Sequence, residues 1–164
     1  MKKKYLTIIF LIIIMLFSIY NLYNSKVMLK SYSNYYIKEL IWWVIGFLVI
    51  IISSRLNLDI IFKKSKYLYV LGIILLVITH FFGITINGST SWLKVGLVSI
   101  QPSEFMKIPL ILSLRSISLR NYSNIEYFIY ALVLTLIPSI IVFMEPDTGA
   151  VIIYFLIFIT FIFM

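Results

Sequence analysis

The sequence predicts an all-α fold, a polytopic transmembrane helical bundle, from its composition and from the spacing of its charges. Of its 164 residues, 62% are hydrophobic and 12% are charged, whereas soluble domains have about 45–50% apolar and about 25% charged residues. The apolar residues form long uncharged runs and leave too little polar surface to cover a globule in water. We therefore expect most of the chain to lie in a lipid bilayer.

Six uncharged runs mark the expected spans. A helix needs about 20 residues to cross a bilayer, so the second run must begin near Tyr36 and the fourth must extend from Pro102 to Leu119. That extension brings Glu104 and Lys107 to membrane depth, where ionisable side chains are costly. The runs are Tyr5–Ser25, Leu40–Ser54, Tyr67–Leu93, Ile108–Leu114, Tyr127–Met144 and Thr148–Met164.

The basic residues lie mainly between these runs, and they indicate membrane topology rather than a nucleic-acid partner. Fourteen Lys and Arg against six Asp and Glu give a net charge of +8. With a cytoplasmic amino terminus and six spans, nine of the fourteen face inward, as the positive-inside rule favours. The nine are Lys2, Lys3, Lys4, Arg55, Lys63, Lys64, Lys66, Arg115 and Arg120.

Composition also excludes several kinds of site. The chain contains no cysteine and one histidine, which excludes disulfides, thiolate metal sites and a cysteine nucleophile and argues against a histidine metal site. Residues 1–164 contain no internal repeat and are expected to form a single transmembrane helical unit. Because the last run reaches Met164 without a polar flank, we also expect these residues to be the front part of a longer protein.

The segment from Asn87 to Lys107 is the most distinctive part of the chain. Pro102 suits the first position of a helix because its missing N–H would be unpaired there. Glu104 then falls in the first turn, where it is expected to accept free backbone N–H groups, and Lys107 lies on the same face. Two interpretations stay open, an ion pair that stabilises the helix start or one side of a functional cavity. Trp92 suits an interfacial anchor.

A second motif, Glu145-Pro146-Asp147-Thr148-Gly149, separates the last two runs. The residue before a proline avoids the helical region, so the fifth helix should end at Glu145, and Asp147 should cap the sixth. Neither carboxylate has a basic neighbour in sequence, so their partners should come from elsewhere in the fold. Two spans separate this connection from the earlier motif, which places both motifs on one face of the membrane.

These two motifs resemble those of the SEDS family, the RodA/FtsW/SpoVE proteins of bacterial cell-wall synthesis. The family pattern of Asn-Gly-small, Trp, Gly and Gln-Pro-Ser-Glu-hydrophobic-x-Lys is met between Asn87 and Lys107. A Pro-Asp-x-Gly turn follows at Pro146 to Gly149. Three positions depart from the pattern: Ser91 replaces a frequent arginine, Glu145 a frequent glutamine and Ala150 a common threonine.

The resemblance implies a peptidoglycan glycosyltransferase of cell division or cell-shape maintenance in the bacterial cell membrane. Such an enzyme polymerises lipid II on the outer face, has about ten spans and works with a class B penicillin-binding protein. The family's catalytic aspartate lies in a later extracellular loop, outside this sequence. The residues carried over are therefore substrate-cavity residues, namely Trp92, Gln101, Glu104, Lys107 and Asp147.

Two other functions stay open beside this enzyme. One is a non-catalytic membrane scaffold that binds division or elongation proteins. The other is a transporter of a lipid-linked precursor, which rests on intramembrane charge alone. The sequence gives no certain evidence of a cofactor. A divalent cation near the leaving diphosphate stays an open alternative, since glycosyl transfer from a diphosphate donor needs positive charge there.

Overall fold

The computed structural model describes residues 2–28, 35–86, 88–96 and 98–163. The all-α class is confirmed, and a small antiparallel sheet is added to the helices. The chain divides into two compact units, residues 1–56 and 57–164, and the prediction of a single unit stays a prediction. The elements are α1 (Lys2–Met28), α2 (Tyr35–Ser53), α3 (Leu58–Phe82), β1 (Ile84–Ile86), β2 (Ser89–Val95), β3 (Val98–Ile100), α4 (Pro102–Ser118), α5 (Asn124–Met144) and α6 (Thr148–Ile162).

The unit of residues 1–56 holds α1 and α2. As predicted, α2 starts upstream of its uncharged run, at Tyr35. Glu39 joins the two helices, because its Oε1 accepts a hydrogen bond from the Ser18 hydroxyl of α1. The same oxygen accepts a bond from Trp43 Nε1 at 3.4 Å. A polar contact thus joins the two helices, as is common where lipid supplies no hydrophobic driving force between helices.

The unit of residues 57–164 packs α3, α4, α5 and α6 around a buried core. Leu76, Met106, Leu110 and Leu114 are almost fully buried in it. Helices α3 and α4 approach closely at Gly72, since a Cβ at that position would overlap the Met106 sulfur. Small residues permit such close packing of helices in membranes, where van der Waals contact replaces the hydrophobic effect.

Tyrosine hydroxyls connect helices of this unit across the core. Tyr69 of α3 donates to the Leu134 carbonyl of α5 at 2.7 Å. Tyr127 of α5 donates to the Phe161 carbonyl of α6 at 3.1 Å. Each bond satisfies a phenol that would otherwise be costly in an apolar environment.

The predicted third span requires a correction at both ends. Helix α3 begins at Leu58, nine residues before the uncharged run, because Asn57 caps it by accepting the Asp59 N–H. It ends at Phe82, and Gly83 follows in extended backbone. The rest of the run, which we expected to continue the span and then form a loop, folds into the sheet in the order β1-β2-β3.

Among the residues that the structure describes, three helices are long and apolar enough to cross a membrane by length and composition, over Leu6–Asn24, Leu58–Phe82 and Asn124–Met144. Two shorter apolar helices cover Glu39–Ser53 and Thr148–Ile162. Helix α4 has the predicted start at Pro102 and ends at Ser118, close to the predicted Leu119. It is the least apolar of the six because it contains glutamate, lysine and arginine. The count of six spans stays a prediction.

Candidate functional site

Asp147 is the centre of a polar network that joins α6 to the start of α4. Its Oδ1 accepts the Ala150 N–H at 3.2 Å, which confirms the predicted cap of α6. Its Oδ2 accepts Gln101 Nε2 at 2.7 Å and the Ser103 hydroxyl at 2.9 Å. The partners of Asp147 that were expected from elsewhere in the fold therefore come from the Gln-Pro-Ser-Glu motif. For the Glu145 side chain the same expectation is wrong within the described residues. Bonds to an ionised acceptor are about twice as strong as neutral ones, so this carboxylate fixes the two helix starts together.

Glu145 connects the same end of the unit to the sheet through its backbone. Its carbonyl accepts the Ser89 hydroxyl at 2.8 Å and the Thr90 N–H at 3.3 Å. Helix α5 ends at Met144, immediately before it, as predicted from Pro146. The two motifs therefore lie together at one end of the unit of residues 57–164. That this end lies on one face of the membrane stays a prediction.

The Glu145 side chain is fully buried, which was not predicted from the sequence. Neither carboxylate oxygen has a hydrogen-bond partner among the described residues. Burial, together with the nearby negative charge of Asp147, raises the pKa of the Glu145 carboxyl to about 7. The departure from the frequent glutamine was the one available signal, since an amide at this position carries no charge to bury.

Glu104 and Lys107 form the predicted pair on one face of α4, with 2.6 Å between Nζ and Oε1. The side chain of Glu104 is 52% exposed and that of Lys107 is 19% exposed. Within the described part of the chain, Glu104 accepts no backbone N–H, so the expected helix-start contact is wrong and Lys107 is its side-chain partner. An exposed pair of this kind contributes only about 0.2–1 kcal/mol, and its charges remain accessible to a ligand.

The other predicted site residues take different positions. Gln101 precedes α4, and its side chain does not cap the helix. Its amide Nε2 instead donates a hydrogen bond to Asp147. Trp92 lies partly buried in β2, opposite Ile84. Sequence reasoning missed Tyr154, whose buried hydroxyl donates to the Ser103 carbonyl at 2.7 Å. Tyr154 lies in an apolar helix, and nothing in the neighbouring sequence predicts a polar partner 51 residues away.

Comparison with known proteins places the chain in a family. A family model described as a cell cycle protein, that of FtsW, RodA and SpoVE, matches residues 2–164. The chain belongs to this family. It is 32% identical over 141 residues to a peptidoglycan glycosyltransferase RodA of Treponema pallidum, covering 84% of this chain and 33% of the relative. A probable peptidoglycan glycosyltransferase FtsW of Coxiella burnetii is 32% identical over 126 residues, covering 73% and 34%. The chain thus spans about a third of the length of these FtsW and RodA relatives.

Solved structures share the fold of this FtsW/RodA/SpoVE chain. One is a chain of a peptidoglycan synthase complex that coordinates polymerization and crosslinking, with a TM-score of 0.74, 21% identity and coverage of 90% of this chain and 43% of that one. Another is the rod shape determining protein RodA of Thermus thermophilus, with a TM-score of 0.60, 24% identity and coverage of 66% and 37%. With its apolar helices, the chain is a multi-pass membrane protein.

The donor set of the site gives little support for a resident metal ion. Among the residues that the structure describes, no three His, Asp or Glu side chains lie together in a way that could hold a metal ion. The Asp147 oxygens are already engaged by three donors. We derive no step through a metal, and the divalent cation stays a prediction for the family member as a whole.

Proposed function

We propose that this chain is part of a peptidoglycan glycosyltransferase that polymerises lipid II, and that it forms one wall of the substrate cavity. The observation that best supports this proposal is the hydrogen bonding of Asp147 to Gln101 and Ser103. These bonds bring the two family motifs together at one end of the unit of residues 57–164. The names of the Treponema and Coxiella relatives support the reaction. The synthase complex with the same fold supports a class B penicillin-binding protein as partner.

Within this proposal, the charged residues of this wall have different roles. Asp147 accepts three hydrogen bonds, which occupy three of the about four lone-pair sites of a carboxylate. We therefore propose it as a positioning residue rather than a general base. Lys107 is partly exposed beside Glu104 and offers positive charge to the diphosphate of a lipid-linked donor. The base that activates the attacking hydroxyl is proposed to lie in the part of the relatives' length that this chain does not cover.

A cytoplasmic amino terminus in a bacterial plasma membrane is part of the proposal, and it predicts a labelling pattern. Ser99 in β3 and Asn121 between α4 and α5 are both exposed and lie at opposite ends of the unit of residues 57–164. An impermeant maleimide should label a Ser99→Cys variant in intact cells and an Asn121→Cys variant only after permeabilisation. The parent has no cysteine and gives no background. The reverse pattern would invert the proposed topology.

The polymerase assignment is tested with labelled lipid II. Residues 1–164 alone are expected to make no glycan chains, because general-base catalysis is typically worth about 10²–10⁴-fold and the missing helices leave the cavity open to water. A full-length RodA assayed in parallel with its penicillin-binding protein is the positive control. Chains made by residues 1–164 and abolished by Asp147→Ala would place the catalytic carboxylate in this chain. Lipid translocation without chains would support the transporter instead.

A further inference from the structure

A polar pocket lies at the end of the unit of residues 57–164 that is opposite to both family motifs. Its volume is about 390 Å³. It is formed where α4 ends, α5 begins and α6 ends, so it lies at the level where these helices leave the apolar part of the unit. Arg115 and Arg120 supply its charge, and Phe161 and Ile162 of α6 form an apolar wall. The proposed cell-wall chemistry uses none of these residues.

The two guanidinium groups have no carboxylate partner within the described residues. Arg115 donates to the Ser118 hydroxyl at 3.3 Å, and Arg120 donates to the Tyr122 hydroxyl at 3.1 Å. Asp59 reaches a neighbouring pocket that Arg120 also lines, but it forms no ion pair with it. Each guanidinium has five N–H donors, so most of the donors of both side chains are left for another acceptor.

The surroundings of the pocket are positively charged and partly fixed in place. This end of the unit carries five basic residues, namely Lys63, Lys64, Lys66, Arg115 and Arg120, against Asp59 and Glu126. Tyr122 packs on Tyr130 of α5 with 4.9 Å between ring centres. Because Tyr127 also bonds to the Phe161 carbonyl, α5 and α6 hold the apolar wall beside the arginines.

We propose that this pocket binds the phosphate of an anionic phospholipid headgroup, with the start of the acyl region against Phe161 and Ile162. Arginine suits this ligand because its planar fork contacts two phosphate oxygens at once. Basic pockets between transmembrane helices bind anionic headgroups in the same way. The apolar wall and the position at the helix ends favour a lipid over a free phosphate, which would leave that wall uncovered.

The test measures binding of short-chain phosphatidylglycerol to the purified chain in a neutral detergent by calorimetry. Phosphatidylcholine of the same chain length tests the need for net negative charge, and inorganic phosphate tests the need for the lipid. Phosphatidylglycerol should bind saturably, and the other two should bind at least about tenfold more weakly. The positive choline of phosphatidylcholine is repelled by the two guanidinium groups, and inorganic phosphate makes no apolar contact.

Variants locate the site. Arg120→Gln, at an exposed residue, should weaken phosphatidylglycerol binding about tenfold, and Arg115→Lys should do the same while keeping the charge. Lys64→Gln is the matched control, because Lys64 is an exposed cation on the same end, and it should weaken binding by at most about threefold. Thermal melting without lipid shows whether each variant is folded. If Arg115→Lys does not fold, the binding measured with Arg120→Gln tests the site by itself.

Three outcomes would overturn the proposal. Equal affinity for phosphatidylcholine would show that the pocket does not distinguish lipids by the net charge of the headgroup. A loss with Lys64→Gln as large as that with Arg120→Gln would show diffuse attraction rather than a pocket. Inorganic phosphate binding as tightly as the lipid would make this a site for a free anion.

Discussion

Replacing Asp147 with alanine is expected to lower the free energy of unfolding by about 2–4 kcal/mol. The change removes the cap of α6, typically worth about 1 kcal/mol. It also leaves the side chains of Gln101 and Ser103 without their shared acceptor. A hydrogen bond to a charged acceptor contributes about 1.5–3 kcal/mol when fully buried. Each bond contributes less here because the carboxylate is partly exposed. Unfolding in a mixed detergent titration, followed by circular dichroism, provides the measurement.

Two further variants separate the parts of the Asp147 network. Asp147→Asn retains one acceptor oxygen, so we expect about half the loss, because the amide can serve the Ala150 N–H or the Gln101 and Ser103 donors but not both. Asp59→Ala is the control, since Asp59 is an exposed acid in the first turn of α3. It should cost less than about 1 kcal/mol. An Asp147→Ala loss no larger than that of Asp59→Ala would show that the network contributes nothing to stability.

The buried carboxyl of Glu145 is expected to make the protein less stable as the pH rises from about 5 to about 8. In the unfolded chain this carboxyl ionises near its ordinary pKa of 4.5, whereas in the folded chain it keeps its proton until about pH 7. The folded state therefore binds more protons within this window, and its stability falls as the pH increases. At 1.36 kcal/mol per pKa unit, the full cost above pH 7 is about 3 kcal/mol.

Glu145→Gln should abolish this pH dependence, because an amide does not titrate. The variant is expected to be more stable than the parent by about 2–3 kcal/mol at pH 8 and to lie within about 1 kcal/mol of it at pH 5. Glu145→Ala supplies a second comparison: it should lack the same slope while being less stable at every pH, because it leaves a cavity. A slope that persists in both variants would assign the titration to another group.

Local signals in the sequence correctly located most helix ends near the site. Pro102 begins α4, Glu145 follows the end of α5, and Asp147 caps α6, all as predicted. Each of these features depends on backbone conformation and on hydrogen bonds within about four residues, which the neighbouring sequence dictates. The proximity of the two motifs agrees with the span count, which places both connections on one side, although the count itself stays a prediction.

Other parts of the site were decided only by tertiary contacts. Asp147 meets Gln101 and Ser103 across 46 and 44 residues, and Tyr154 meets Ser103 across 51. The exposure of Glu104 and the sheet between α3 and α4 likewise did not follow from the spacing of residues along α4 and the preceding loop.

The sequence by itself therefore determined the membrane class, the family and the helix ends that flank the site. The tertiary structure alone decided that Asp147 is a shared acceptor and that the Glu145 carboxyl is buried without a partner among the described residues. The physical reason is range: caps and turns satisfy backbone groups a few residues away, whereas burial and long-range hydrogen bonds depend on which helices pack together.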